Sequence, residues 1–199
     1  MRLCDLGLTV TDTWLEDCVA RLRRELDAVG LKKFRVHTWL SDEWCSPDGI
    51  PGLGIPFYLA HPRLIRLERQ MMFEVEGGTQ AECMRLLRHE AGHALQHAYN
   101  LQRRRRWQRT FGKASEPYPE FYRPNPMSKG FVEHLDGWYA QAHPVEDFAE
   151  TFAVWLAPRS NWRRQYATST ALHKLEYIEE LVDDLSEKNP QVKSRARPY

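Results

Sequence analysis

The sequence has no long apolar run. No stretch approaches the ~18 apolar residues a membrane-spanning helix needs, so a helical membrane protein is excluded and no membrane partner is expected. It also has little net charge, +1 over 199 residues, so the chain as a whole has no strong pull toward polyanions. Its four cysteines (Cys4, Cys18, Cys45 and Cys83) are scattered and form no C-x-x-C pair. That argues against a cysteine zinc site and against a disulfide scaffold, and reads as reduced thiols in a cytoplasmic setting. The opening MRLCDLGLTVTDTW lacks a sustained apolar core, so no signal peptide is expected. No internal repeat is present. What remains is ordinary for a globular domain: 42% hydrophobic and 28% charged residues.

The pattern predicts an α+β fold, mostly helical, with a small β-sheet. It predicts one domain over residues 1–187, with a core of about 31–187, an N-terminal amphipathic helix at 12–29 and a flexible basic tail at 188–199. Trp14, Leu15, Cys18, Val19, Leu22, Leu26 and Val29 recur at helical spacing, and Gly30 stops that helix. FRVHTWL (34–40) and IPFYLA (55–60) read as short strands around the turn-rich SPDGIPGLG, and MMFEVEGG (71–78) as a strand end or an irregular lead-in. Pro117, Pro119, Pro124 and Pro126 rule out regular structure between 113 and 130. A last amphipathic helix is expected over about 171–186.

The strongest local signal is TQAECMRLLRHEAGHALQHAYN, residues 79–100. Thr79-x-x-Glu82 fits a capping box, which starts a helix running to about 100. His89 and His93 lie four apart, so their rings stack on one face one turn apart and can meet a single ion. Glu90 lies beside that face and can reach a water on the ion without binding the ion itself. This is the H-E-x-x-H arrangement, two ligands and a general base on one rigid element. His97 lies roughly 12 Å along the axis from His89 at ~1.5 Å per residue, too far to share the ion. Gln96 and Tyr99 stand where an extended motif would need Gly and His. A third ligand must therefore come from another segment.

DGWYAQAHPVEDFAETFAVWL, residues 136–156, offers one. His143-Pro144 suits a helix start, and Glu146 and Glu150 lie four apart on one face. Of such a carboxylate pair, one can bind metal while the other accepts the free N–H of a ligand histidine. Asp147 points elsewhere. RHEAGHAL and WYAQAHPVEDFAETFAVWL together resemble the bacterial zinc-binding metallopeptidase family, a gluzincin-like HExxH…E pattern; IPFYLAHPRL and EVEGGT extend the likeness over roughly residues 50–180. The resemblance implies a zincin-like catalytic domain with one Zn2+ per chain, His89, His93 and Glu146 as metal ligands, and Glu150 in support. Gluzincins of the thermolysin type carry Asp rather than Glu at the supporting position. The second segment is also similar to the anthrax lethal factor catalytic domain, which implies a zinc-facing role for Tyr139.

Carried through, the resemblance implies a zinc metallopeptidase that hydrolyses peptide bonds of a peptide or protein substrate through a metal-activated water. Glu90 would be the general base and Tyr139 a donor to the developing oxyanion. His134 and His143 are further candidate donors, His143 alternatively a helix cap. The Pro-rich 117–126 stretch is expected to cover one side of the cleft, and IPFYLA to present an edge strand to substrate. The alternative reading is a non-catalytic zinc-binding structural or regulatory protein. Arg103 to Arg106 with Trp107 and Arg109 form a dense basic spot, but no nucleic-acid fold signature accompanies it. It therefore reads as a solvated surface that docks acidic groups. The oligomeric state is not encoded in any motif.

Overall fold

The computed structural model describes residues 3–198, and the side chain of Cys4 lies outside the described residues. Its seven α-helices are α1 (Trp14–Ala28), α2 (Pro62–Met72), α3 (Gln80–Tyr99), α4 (Arg105–Phe111), α5 (Pro144–Leu156), α6 (Trp162–Gln165) and α7 (Leu172–Leu185). The strands β1 (His37–Ser41) and β2 (Gly52–Pro56) pair in parallel, with Trp39 opposite Gly54. The fold is the expected mostly helical α+β domain with a small sheet. No described helix is long and apolar enough to cross a membrane.

Helix α3 is the central element. Its start is locked by the capping box: the Glu82 amide donates to Thr79 Oγ1 at 3.3 Å, and the Thr79 amide donates to Glu82 Oε2 at 3.2 Å. It packs on α5 along one side and on α1 and β2 along others. Leu87, Ala91, Ala94, Leu95 and Ala98 supply its fully buried apolar face, and Phe148 and Phe152 of α5 join the same core. Each large side chain buried this way contributes roughly 1.5–3 kcal/mol. Arg88 leaves α3 toward α1 and meets Glu25 in a buried two-pronged ion pair, at 2.8 and 2.9 Å. A smaller apolar cluster of Val132, Ala140, Val154, Trp162, Tyr166, Ala171 and Leu175 closes the far side of α5.

The structure departs from the sequence reading in the sheet region. Only Ile55 and Pro56 of IPFYLA belong to a strand, and residues 57–60 form a 3₁₀ turn. Pro56 has no N–H to continue a ladder, so pairing ends there. IPFYLA is therefore not an edge strand for substrate. Residues 62–72 form helix α2, a segment for which no element was expected; it starts on the His61 cap with Pro62 in its first turn, and Ile65 packs against the core. Residues 105–111 likewise form a helix, α4, whose Trp107 is fully buried. The stretch after Leu185 forms no helix or strand, yet the amides of Gln191 and Val192 donate to Ala98 O at 2.8 and 3.0 Å.

Candidate metal centre

The face of α3 that carries His89 and His93 meets the face of α5 that carries Glu146 and Glu150. What lets the helices come so close is Gly92. A Cβ there would stand 2.9 Å from Ala149 Cα and 3.3 Å from Ala149 Cβ. The glycine that weakens α3 locally is what allows α5 to lie against it.

The result is a near-equilateral triangle of donor atoms. His89 Nε2 and His93 Nε2 lie 3.0 Å apart. Glu146 Oε2 stands 3.1 Å from His89 Nε2 and 3.2 Å from His93 Nε2. Ligands about 2.0 Å from a tetrahedral zinc stand roughly 3.3 Å from one another. The three side chains therefore fit a metal ion of that size, and this is the group of described residues able to hold one. The donor set, two imidazoles and a carboxylate, suits zinc.

Around the triangle the charges are arranged for a cation. Burial would lower the His89 pKa, but its hydrogen bonds to Glu146 and Glu150 outweigh burial and push it up to about 10. Burial would raise the Glu146 carboxyl; the charge of His93 and the hydrogen bonds to both imidazoles instead hold it well below the ordinary carboxylate range. Positive charge is favoured at this point, whether carried by protons or by a divalent ion.

Glu150 lies fully buried one turn beyond Glu146. An ionised carboxylate only accepts, so His89 Nδ1 donates to Glu150 Oε1, at 2.7 Å. Glu150 Oε2 in turn accepts the Leu135 amide at 2.8 Å. With a metal ion in place of the Nε2 proton, this bond would fix the His89 tautomer, Nδ1 protonated and the Nε2 lone pair facing the triangle. Glu occupies a position where a shorter Asp would have to come closer to make the same bond.

Glu90 is buried next to His89, and burial, only partly offset by His93 and His89, raises its carboxyl pKa. Tyr139 sits with its ring centroid 5.8 Å from that of His89. Burial, then the charges of Glu146 and Glu90, raise its phenol pKa, so it remains a hydrogen-bond donor at neutral pH. It is delivered by a sharp turn in which Gly137 (φ 77°) and Trp138 (φ 54°) are both left-handed. For a tryptophan that conformation costs roughly 1–2 kcal/mol.

Other candidates lie elsewhere. His143 caps α5, accepting the Val145 amide at Nδ1, and its Nε2 donates to Glu116 O at 2.8 Å. His134 Nε2 donates to Arg85 O at 3.0 Å. His97 is buried and accepts the Gly49 amide at Nδ1. Asp147 turns away to an ion pair with Lys174, at 2.6 Å. In the basic cluster, Arg104 and Arg106 bind Asp184 and Glu180 of α7, which joins the cluster to acidic groups as expected.

One residue at the centre had no local signal. Tyr118, in the Pro-rich loop, donates from its hydroxyl to Glu146 Oε1 at 2.7 Å. Nothing in the spacing of PYPEFY marks it, because only the path of the loop brings it there. The loop is held by a reciprocal pair between Asn125 and Gln141, at 2.8 and 3.0 Å, and by Tyr122 donating to Gly137 O.

Comparison with known proteins agrees with this geometry. No curated protein and no solved structure matches the chain. One family model does, over residues 81–193, a stretch that runs from the start of α3 past the end of α7 and covers more than half of the chain. On that match the chain belongs to the family described as "Putative zinc-binding metallo-peptidase".

Proposed function

We propose that the protein is a zinc-dependent peptidase that hydrolyses peptide bonds, with one zinc per chain held by His89, His93 and Glu146. The observation that carries this reading is the donor triangle, with edges of 3.0–3.2 Å, set beside a buried glutamate that is not one of its corners. A zinc ion bound there supplies a Lewis acid and a water acidified to near neutral pH. The protein's own groups do the rest. Glu90, with a raised proton affinity, accepts the proton of the attacking water and passes it to the leaving amine. Tyr139, protonated at neutral pH, donates to the oxygen that gains charge as the carbonyl is attacked. Glu150 orients His89 and takes no part in bond making.

The test is metal content and peptide hydrolysis of purified wild type, Glu146→Ala, Glu150→Ala and Glu90→Gln. We expect about one zinc per chain in wild type, lost in Glu146→Ala and kept in Glu90→Gln, with hydrolysis by Glu90→Gln falling roughly 10²–10⁴-fold. If wild type holds zinc but a broad peptide library stays intact at wild-type and Glu90→Gln levels alike, the site is a structural or regulatory zinc site instead. A wild type that holds no metal defeats the reading altogether.

A further inference from the structure

The Pro-rich loop does more than border the site. Glu146 presents its two carboxylate oxygens to different partners. Oε2 faces both imidazole nitrogens, at 3.1 and 3.2 Å, and Oε1 accepts the Tyr118 hydroxyl at 2.7 Å. Tyr118 is itself held in place. Its ring stacks flat on His143, with centroids 3.9 Å apart and planes 13° from parallel. His143 is in turn tied down at both ring nitrogens, by the Val145 amide of the α5 N-terminus and by Glu116 O of the same loop. The loop residue and the helix that carries Glu146 are therefore locked to one another through one imidazole.

We propose that Tyr118 is a positioning residue for the metal ligand Glu146: its hydroxyl occupies Oε1 and thereby commits Glu146 to single-oxygen ligation through Oε2. The inference rests on the zinc-peptidase reading above. A carboxylate with both oxygens free can swing to grip an ion with both, and the second oxygen then competes for the coordination place that a peptidase keeps open for water and substrate. A charge-assisted O–H···O⁻ bond of this length resists that swing. Tyr118 thus parallels Glu150. Glu150 orients one ligand of the triangle and Tyr118 orients another.

The experiment uses the full chain, with zinc and cobalt(II) as probes, in wild type, Tyr118→Phe and Tyr122→Phe. Phenylalanine keeps the ring on His143 and removes only the hydroxyl. Tyr122→Phe removes another tie of the same loop, to Gly137 O, without touching Glu146. We expect Tyr118→Phe to bind zinc about 10-fold or more weakly, the size usual for loss of a group that orients a ligand, and Tyr122→Phe to stay within about twofold of wild type. We also expect the visible spectrum of the cobalt form to change in Tyr118→Phe, toward the weaker bands of higher coordination, and to remain as wild type in Tyr122→Phe. Equal zinc affinity and an unchanged cobalt spectrum in Tyr118→Phe overturn the positioning role and leave the metal site standing. Equal losses in both variants overturn it in favour of a general loop effect. A wild type that binds neither metal overturns the zinc reading and this role together.

Discussion

Replacing Gly92 with alanine puts a methyl carbon 2.9 Å from Ala149 Cα, a backbone atom that cannot step aside alone. Carbon atoms in contact prefer about 3.5–4.0 Å, so α3 and α5 must separate locally by roughly 0.6–1 Å. Overpacking of this kind costs ~1–3 kcal/mol. Alanine returns ~1 kcal/mol through helix propensity. The net loss in stability is therefore modest, about 0–2 kcal/mol, and Tm falls by ~2–4 °C per kcal/mol for a chain of this size. The effect on metal should be larger. Zinc–ligand distances tolerate only about 0.2 Å, whereas the separation moves Glu146 on α5 away from His89 and His93 on α3 by several times that. Zinc affinity should drop by far more than the stability of the chelator-treated protein. Competition with a chromophoric chelator measures the first, and urea unfolding in EDTA measures the second. A Gly92→Ala protein that matches wild type in both would refute the claim that this glycine sets the helix approach.

Three further outcomes are expected. Lys174→Met leaves Asp147 buried without its cation and should cost ~3–5 kcal/mol in urea unfolding, while the double change with Asp147→Leu should recover most of that loss; a single variant as stable as wild type would contradict the pairing. His97 has its pKa lowered by burial from 6.5, so the unfolded chain takes up this proton first as pH falls, and the residue's contribution is present above about pH 6.5 and lost below it. The stability gap between wild type and His97→Gln should accordingly be widest at pH 8 and shrink toward pH 5; urea midpoints showing a constant gap would count against it. Glu150→Gln can still accept from Leu135 but no longer offers His89 a charged acceptor, so zinc should bind roughly 10–100-fold more weakly with the fold retained, as read by chelator competition.

The elements that carry the site were legible because their signals are local. The Thr79–Glu82 capping box, the His143-Pro144 start and the four-residue spacings of His89/His93 and Glu146/Glu150 depend on hydrogen bonds and rotations within one or two turns, so sequence alone places them on helix faces. That a metal needs one more ligand than α3 supplies also follows from length along the axis. The resemblance of the two motif segments to zinc-binding metallopeptidases needed no tertiary information either. Helix α2 carries local marks too, an amphipathic spacing and the His61 cap with Pro62 in its first turn, so its absence from the expected elements does not reflect a missing signal. The end of β2 depended on Pro56 and on which backbone groups find partners, which a run of apolar residues does not specify.

Only the tertiary structure decided how the pieces face one another. Two glutamates on one helix face are equivalent in sequence. The crossing of α5 over α3 sets Glu146 against the Nε2 atoms and Glu150 against His89 Nδ1. Gly92 is a local weakness in sequence and a point of closest approach in three dimensions. Tyr118 lies 28 residues from Glu146 along the chain and carries no period or spacing, because a proline-rich loop transmits no regular geometry from one residue to the next. Its place at Glu146 is set by the His143 ring on which it stacks, a contact that exists only in the packed fold.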